Sequence, residues 1–335
     1  MTGVAGKVSL GTLGKANLPR VGLGCMGMSE FYGPSDEAEN LRILALAHEL
    51  GYVHLDTSDM YGNGTNEQLL GRFMKSVPRQ SVFLATKFGI VRDAAGGLAR
   101  SVDGSPAYVK AACDRSLARL GLDYIDLYYV HRKDPAVPIE ETVGAMADLV
   151  KAGKVRALGL SEVSVETLRR AHKVHPIAAL ETEYSLLSRD PEMELLPTCQ
   201  ELGVAFVAYS PLSRGLLTAS LNAGDLKRSG DVRQFMPRFS GDNFDRNAAL
   251  LEDLKKIAAE RGCTPSQLAL AWVLARGEHI HIIPGTRREQ YLRDNFAAGA
   301  LRLSASEVAR ITQAVDASQV VGTRYPEAAM KGIGR

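Results

Sequence analysis

Eight short apolar runs, most of them rich in β-branched residues, punctuate the chain at 21–24, 52–55, 82–86, 125–130, 155–160, 178–182, 204–209 and 279–283. Several are continuous rather than alternating, IDLYYV and VAFVAY among them. A strand reads this way when both of its faces are covered, as in a parallel sheet flanked by helices. The segments between the runs have helical spacing and helical start signals. Ser35-Asp36 precedes EAENLRILALAHEL, Ser105-Pro106 opens AYVKAACDRSLARL, and Thr264-Pro265-Ser266 opens QLALAWVLAR. Small polar residues there can cap the first amides, and proline suits a first helical turn. Eight strand–helix repeats with no linker predict a single (β/α)8 TIM barrel over residues 1–335 rather than a doubly wound open sheet.

Two segments fall outside the repeat. KVSLGTLGKANLPRVGLG reads as an N-terminal β-hairpin turning at 14–17 and plugging the bottom of the barrel. Residues 211–247, rich in Gly, Ser and Arg, form a long loop on the C-terminal face, with LKRSGDVRQ as a mobile lid. The tail after Val321 is expected to be poorly ordered.

Composition narrows the class. A chain of 335 residues, 45% hydrophobic and 23% charged, can bury a large core without staples. A formal charge of +2 aims no strong field at nucleic acid or anionic lipid. Cys25, Cys113, Cys199 and Cys263 form no CxxC pair and fit free thiols. No window approaches the ~20 apolar residues of a membrane span, and the N-terminus lacks a signal-like apolar core. A cytoplasmic protein is the expectation, with its oligomeric state open.

In a barrel of this kind the active site lies where the strands end. After YVHL comes Asp56, with Tyr61 just beyond; after VFLAT comes Lys87; after IDLYYV comes His131. Each has an ordinary alternative reading: a turn residue, a packed aromatic, a strand-end histidine. Lys87 also admits an imine-forming lysine of a lyase. Together they put a carboxylate, a phenol, an ammonium and an imidazole on one rim. A phenol titrates near ~10 in isolation, and a neighbouring Lys87 is expected to lower Tyr61. Asp56 would hold Lys87 charged, and His131 would orient a carbonyl oxygen that Tyr61 protonates. The missing partner is a hydride, which a nicotinamide cofactor must bring.

With these residues the chain resembles the aldo-keto reductase family along nearly its whole length. GYVHLDTSDMYG is similar to the family's Gly-x-x-x-x-Asp-Thr-x-x-x-Tyr signature, and GLSE, AYSPLSRG and IIPGTRREQYLRDN follow in the family's order. The resemblance implies a catalytic tetrad of Asp56, Tyr61, Lys87 and His131 and reduction of aldehydes or ketones with NADPH. It places Ser161 and Glu181 at the carboxamide, Tyr209 against the nicotinamide ring, and Ser210, Leu212 and Arg214 along the pyrophosphate. Gly285, Thr286, Arg287, Tyr291 and Asn295 would hold the adenosine end, with Asp56 also on the cofactor side. Arg287 beside Arg288 suits a ribose phosphate, which favours NADP(H) over NAD. The family also includes cofactor-binding regulatory barrels, a rival to catalysis.

Departures accompany the match. Glu162 stands where many members have Asn, and Glu181 where they have Gln; a carboxylate accepts from the carboxamide amine but cannot donate to its carbonyl. GLGCMG matches GxGxxG, yet FYGP follows it as loop, so no helix is expected to open at those glycines. Gly27 and Met28 would then meet cofactor as loop residues. His172 with His175, and His279 with His281, lack an evident third ligand, and no metal is expected. Substrate specificity is assigned to the loops at 88–105, 190–197 and 212–247.

Overall fold

Near-continuous apolar runs need cover on both faces, and a closed barrel supplies it. The computed structural model describes residues 8–9, 17–92, 100–330 and 332–334. Its eight parallel strands, β1 (Leu23–Gly24), β2 (His54–Asp56), β3 (Phe83–Phe88), β4 (Ile125–Val130), β5 (Val155–Ser161), β6 (Ile177–Glu183), β7 (Ala205–Tyr209) and β8 (Ile280–Ile282), lie side by side in chain order. Val21 bridges Ile282 in parallel, and the Gly22 N–H donates to the Ile282 carbonyl at 2.8 Å, which closes the sheet. Closure removes both edges.

A helix follows each strand: α1 (Glu37–Leu50), α2 (Thr65–Met74), α3 (Pro106–Leu120), α4 (Ile139–Lys151), α5 (Val165–Val174), α6 (Leu195–Leu202), α7 (Pro265–Ala275) and α8 (Glu289–Ala298). The start signals act as expected. Asp36 accepts from the Glu39 amide at 2.8 Å, and Thr264 and Gln267 bond each other's backbone in a capping box. α1 ends at Gly51 with φ 99°, a left-handed turn that glycine adopts without cost.

Alternation along the strands sorts the interior. Residues two apart share a face, so Phe83, Ala85 and Lys87 of β3 point the same way, as do Leu127 and Tyr129 of β4. Phe83, Ala85, Leu127, Tyr129, Ala157, Ala179, Ala205 and Val207 form the packed lumen. A Cβ on Gly159 would fall 2.3 Å from Tyr129 Cδ1, so that glycine makes room for the ring. Above this apolar plug the same inward positions turn polar: Asp56, Lys87, Ser161, Glu181 and Glu183. The pleat thus delivers the chemistry to one rim.

His54 and His281 lie at the opposite, buried end of this alternation, and their ring nitrogens make no hydrogen bond within the usual distance and angle among the described residues. Burial lowers His54 to about 4 and His281 to about 3. Both are neutral when folded, so the unfolded chain binds more protons below about 6.5, its ordinary histidine value. Stability is therefore fully present above about 6.5 and is lost as pH falls toward 4, by an amount on the order of a few kcal/mol. Urea unfolding at pH 7 and pH 4.5 measures the loss. If the His54→Leu/His281→Leu protein keeps the same pH slope, the assignment fails.

The N-terminal hairpin is present, Val8–Ser9 pairing antiparallel with Asn17–Leu18, while its turn lies outside the described residues. Leu18 belongs to the same buried apolar cluster as the lumen residues Phe83, Leu127 and Val207. No helix opens at GLGCMG: a short turn over Met26–Met28 follows β1, and α1 begins only at Glu37. The segment after β3 carries an unexpected antiparallel pair, Ile90–Arg92 with Arg100–Val102.

Two expectations of looseness are corrected. The LKRSGDVRQ stretch is stitched to the loop after β1: Val232 N–H donates to Phe31 O at 3.0 Å, Gly33 N–H to Gly230 O at 3.3 Å, and buried Asp231 pairs with Arg233 at 2.6 Å. The tail after Val321 is folded onto the rim. Asn247 holds Val321 in both directions at 2.9 Å, and the Gly334 N–H donates to the Glu162 carbonyl at 2.9 Å. A clamp 74 residues away orders the tail, and such a partner cannot be read from the tail's own composition.

Candidate active site

Asp56 ends β2 and Lys87 lies near the end of β3, both inside their strands rather than just beyond them. Tyr61 is placed by a tight turn. Gly62, Asn63 and Gly64 all have positive φ, and a Cβ on Gly62 would fall 2.2 Å from Thr65 Oγ1. Asn66 anchors the same turn, donating to the Cys25 carbonyl at 2.9 Å and accepting from Thr57 Oγ1 at 2.6 Å. His131 follows β4, its N–H donating to the Phe88 carbonyl at 2.8 Å.

The four side chains converge. Lys87 is fully buried; its ammonium donates to Asp56 Oδ1 and to the Thr57 carbonyl at 3.0 Å. An ammonium has three hydrogens, and the third lies between Tyr61 OH at 3.5 Å and Glu181 Oε1 at 3.3 Å. Tyr61 accepts from Lys87, so its own proton is free to point elsewhere. The His131 ring stands edge-on to the Tyr61 ring, centroids 5.8 Å apart, and its Nδ1 lies 3.0 Å from Ser58 Oγ. A phenol and an imidazole therefore share one spot, backed by a fixed cation.

Electrostatics corrects one expectation. Burial pushes Tyr61 above the usual phenol value; Lys87 works against this, while Asp56 and Glu181 add to it. The lowering by Lys87 exists but loses to desolvation. Tyr61 is accordingly a phenol, not a phenolate, at neutral pH, which is the form a proton donor needs. Burial also works to discharge Lys87, but Asp56 and Glu181 outweigh it and hold the ammonium charged. Glu181 is pushed up by burial and by Asp56, against Lys87. A carboxyl donates to the carboxamide carbonyl only in its protonated form, and the pairing with Lys87 at 3.3 Å favours the anion.

The other predicted positions line the same rim. Gly27 and Met28 occupy the turn after β1. Ser161 and Glu181 are cross-strand neighbours at the ends of β5 and β6. Tyr209 ends β7; its hydroxyl donates to Glu162 Oε1 at 2.8 Å and lies 3.0 Å from Tyr325 OH. Beyond it Ser210, Ser213 and Arg214 have positive φ, with Leu212 between. Successive amides in such turns form an anion-binding concavity. In this structure Arg214 itself pairs with Glu183 at 3.0 Å and lies over the Tyr325 ring. Gly285 packs against the Gly24 backbone, where a Cβ would fall 2.8 Å from the Gly24 oxygen. Thr286 Oγ1 accepts from the Arg288 amide, and Arg287 donates to the Tyr32 carbonyl at 2.7 Å. Tyr291 is exposed with Arg288 over its ring, whereas Asn295, one turn on in α8, is buried.

Several residues escaped the sequence reading. Arg228, from the long loop, adds positive charge near Arg287 and Arg288. Arg324 reaches back to Glu162 at 3.2 Å. Arg132, next to His131, donates to Ser161 Oγ at 3.2 Å. Only the arginine following His131 had a positional signal, since it extends a strand-end motif; the others arrive from distant segments.

Comparison with known proteins agrees. A family model described as the aldo/keto reductase family matches residues 20–316. The chain is 44% identical over 321 residues to aldo-keto reductase yakc of Schizosaccharomyces pombe, whose name specifies NADP(+), across 95% of this chain and 94% of that one. It is 45% identical over 323 residues to aldo-keto reductase str7 of Strobilurus tenacellus, across 93% of each. Among solved structures, a glycerol dehydrogenase from Gluconobacter oxydans is similar at TM-score 0.84 and 27% identity, covering 93% of this chain and 95% of that one. An aldo-keto reductase from Klebsiella pneumoniae in complex with NADPH has TM-score 0.73 at 28% identity, covering 93% and 96%. With a closed barrel, a converged rim and relatives this similar over nearly their full lengths, the chain belongs to the aldo/keto reductase family.

Proposed function

We propose that this protein is an NADPH-dependent reductase that converts aldehydes or ketones to alcohols, with Tyr61 donating the proton to the carbonyl oxygen. The observation that carries the reading is the Tyr61 phenol, protonated by burial, 3.5 Å from a charged Lys87 and beside the His131 ring. When bound, the cofactor supplies the hydride. His131 steadies the carbonyl oxygen at the spot where Tyr61 points its proton. Lys87 is a fixed positive neighbour that stabilises the negative charge left on the phenol oxygen as the proton departs.

The rim fits the cofactor. Asp56 Oδ2 and Glu181 Oε2 are buried and have no protein partner among the described residues. A ribose hydroxyl and a carboxamide would satisfy them. Ser161 and Glu181 would hold the carboxamide, and Tyr209 the nicotinamide ring. Ser210, Leu212 and Arg214 would line the pyrophosphate. Gly285, Thr286, Arg287, Tyr291 and Asn295 would take the adenosine end, with Gly27, Met28 and Asp56 completing the cradle. The positive charge of Arg228, Arg287 and Arg288 favours the additional phosphate of NADP(H).

A Lys87 imine is disfavoured because nucleophilic attack needs a neutral amine, and Asp56 and Glu181 keep this one charged. Loss of NADPH absorbance is expected on mixing with members of a panel of aldehydes, ketones and quinones. NADPH binding without any carbonyl-dependent oxidation would overturn the reaction and leave a binding role.

A further inference from the structure

Most charges around the rim pair off among the described residues, and Arg132 is left over. Lys87 meets Asp56 and Glu181; Arg214 and Arg238 share Glu183; Arg324 takes Glu162; Arg233 takes Asp231. Arg132 has no carboxylate within ion-pair distance among the described residues. Its Nη1 donates to the His131 carbonyl at 2.7 Å and to Ser161 Oγ at 3.2 Å. A guanidinium carries five N–H groups, and those on Nε and Nη2 have no acceptor among the described residues. The side chain is half-buried, so these donors still face accessible space.

We propose that Arg132 receives an anionic group of the substrate, so that the preferred substrates are aldehydes or ketones carrying a carboxylate or similar anion near the carbonyl. This rests on the carbonyl reduction proposed above. A cation withdrawn from water without a counter-charge is costly, and a planar fork with open donors fits a carboxylate in two-point fashion. The location is set by its neighbours. Burial opposes the charge of Arg132, Glu162 works to sustain it, and Tyr209, Tyr325 and Tyr61 lie close by. An anion on Arg132 would therefore lie between the tail and the proton donor, within a few bonds of the reacting carbonyl.

The anion belongs to the substrate and not to the cofactor. The phosphates have their own donors, the turn at Ser210–Arg214 and the cluster of Arg228, Arg287 and Arg288. What meets Ser161 in the proposed pose is the neutral carboxamide. Nor does Glu162 cancel Arg132. Its Oε1 already accepts from the Glu183 amide at 2.9 Å, from Tyr209 OH at 2.8 Å and from Arg324 at 3.2 Å. Two guanidiniums face one carboxylate here, which leaves the substrate side of the rim positive.

The test compares 2-, 3- and 4-formylbenzoate with their methyl esters, which place the carboxylate at three distances from the aldehyde. At least one acid is expected to exceed its ester by about 10-fold or more in kcat/KM. Arg132→Gln is expected to erase that preference mainly through KM, and Arg132→Lys to keep part of it. The NADPH Kd, read by quenching of protein fluorescence, is expected to move less than about 3-fold in both variants, which also reports that they fold. The proposal is overturned if no acid is preferred by the wild-type protein, if Arg132→Gln slows acid and ester equally, or if it weakens NADPH about 10-fold or more. Failure of the carbonyl-reduction reading looks different: NADPH binds and no carbonyl compound, charged or neutral, is reduced.

Discussion

Replacing Tyr61 by phenylalanine is expected to lower turnover by about 10²–10⁴-fold, the span that a positioned proton donor contributes. The substitution removes one oxygen and keeps the ring. The edge-on contact with His131 and the packing with Met60 and Ile90 survive. The third hydrogen of Lys87 still has Glu181 Oε1, 3.3 Å away, so the ammonium is not orphaned. Fold and NADPH affinity should therefore be retained, and the loss should appear in kcat. Single-turnover oxidation of NADPH, together with a binding titration, separates the two quantities. Unchanged turnover in Tyr61→Phe would mean that another group, with His131 the nearest alternative, supplies the proton.

The largest stability effect is expected at Lys87. Its carboxylate partners are almost wholly buried, Asp56 at 2% and Glu181 at 3% exposure. Removing the cation in Lys87→Met leaves two like charges facing each other, and breaking a buried pair in this way costs about 3–5 kcal/mol. The cost depends on pH. Without Lys87, the upward push of burial and Asp56 on Glu181 is unopposed. Stability is then lost as pH rises above the ordinary carboxylate range near ~4, and is recovered on acidification. Adding Glu181→Gln removes one of the two charges, so the double variant should regain stability while remaining inactive. Thermal unfolding at pH 5 and pH 8 measures this. A Lys87→Met protein as stable as the wild type at both pH values would show that the ammonium does not balance those charges.

The parts of this molecule that follow from short-range order were legible in the chain. Apolar runs of a few residues, polar caps and a closing glycine are local signals, and they located eight strands and their helices to within a few residues. The alternation of faces then made Asp56, Lys87 and His131 neighbours, because a closed parallel sheet carries strand-end residues to one rim. Tyr61 was legible as a member of that set, but its direction of titration was not. Burial of the phenol depends on surrounding rings and loops, and desolvation outweighed the single charge that sequence spacing could identify. Glu181 is pushed up for the same reason, burial first and then Asp56 reaching it from another strand.

Tertiary structure alone decided which charges are left over. Glu162 and Arg324 are 162 positions apart, and their pairing removes an anion that would otherwise have been assigned to Arg132. The same fold drew the polar tail onto Tyr209 and pinned the long loop to the turn after β1. Periodicity is a property of a dozen consecutive residues, whereas burial and charge balance are sums over everything that folding brings near. For that reason the identity of the rim residues could be read along the chain, and their protonation and partners only across the barrel.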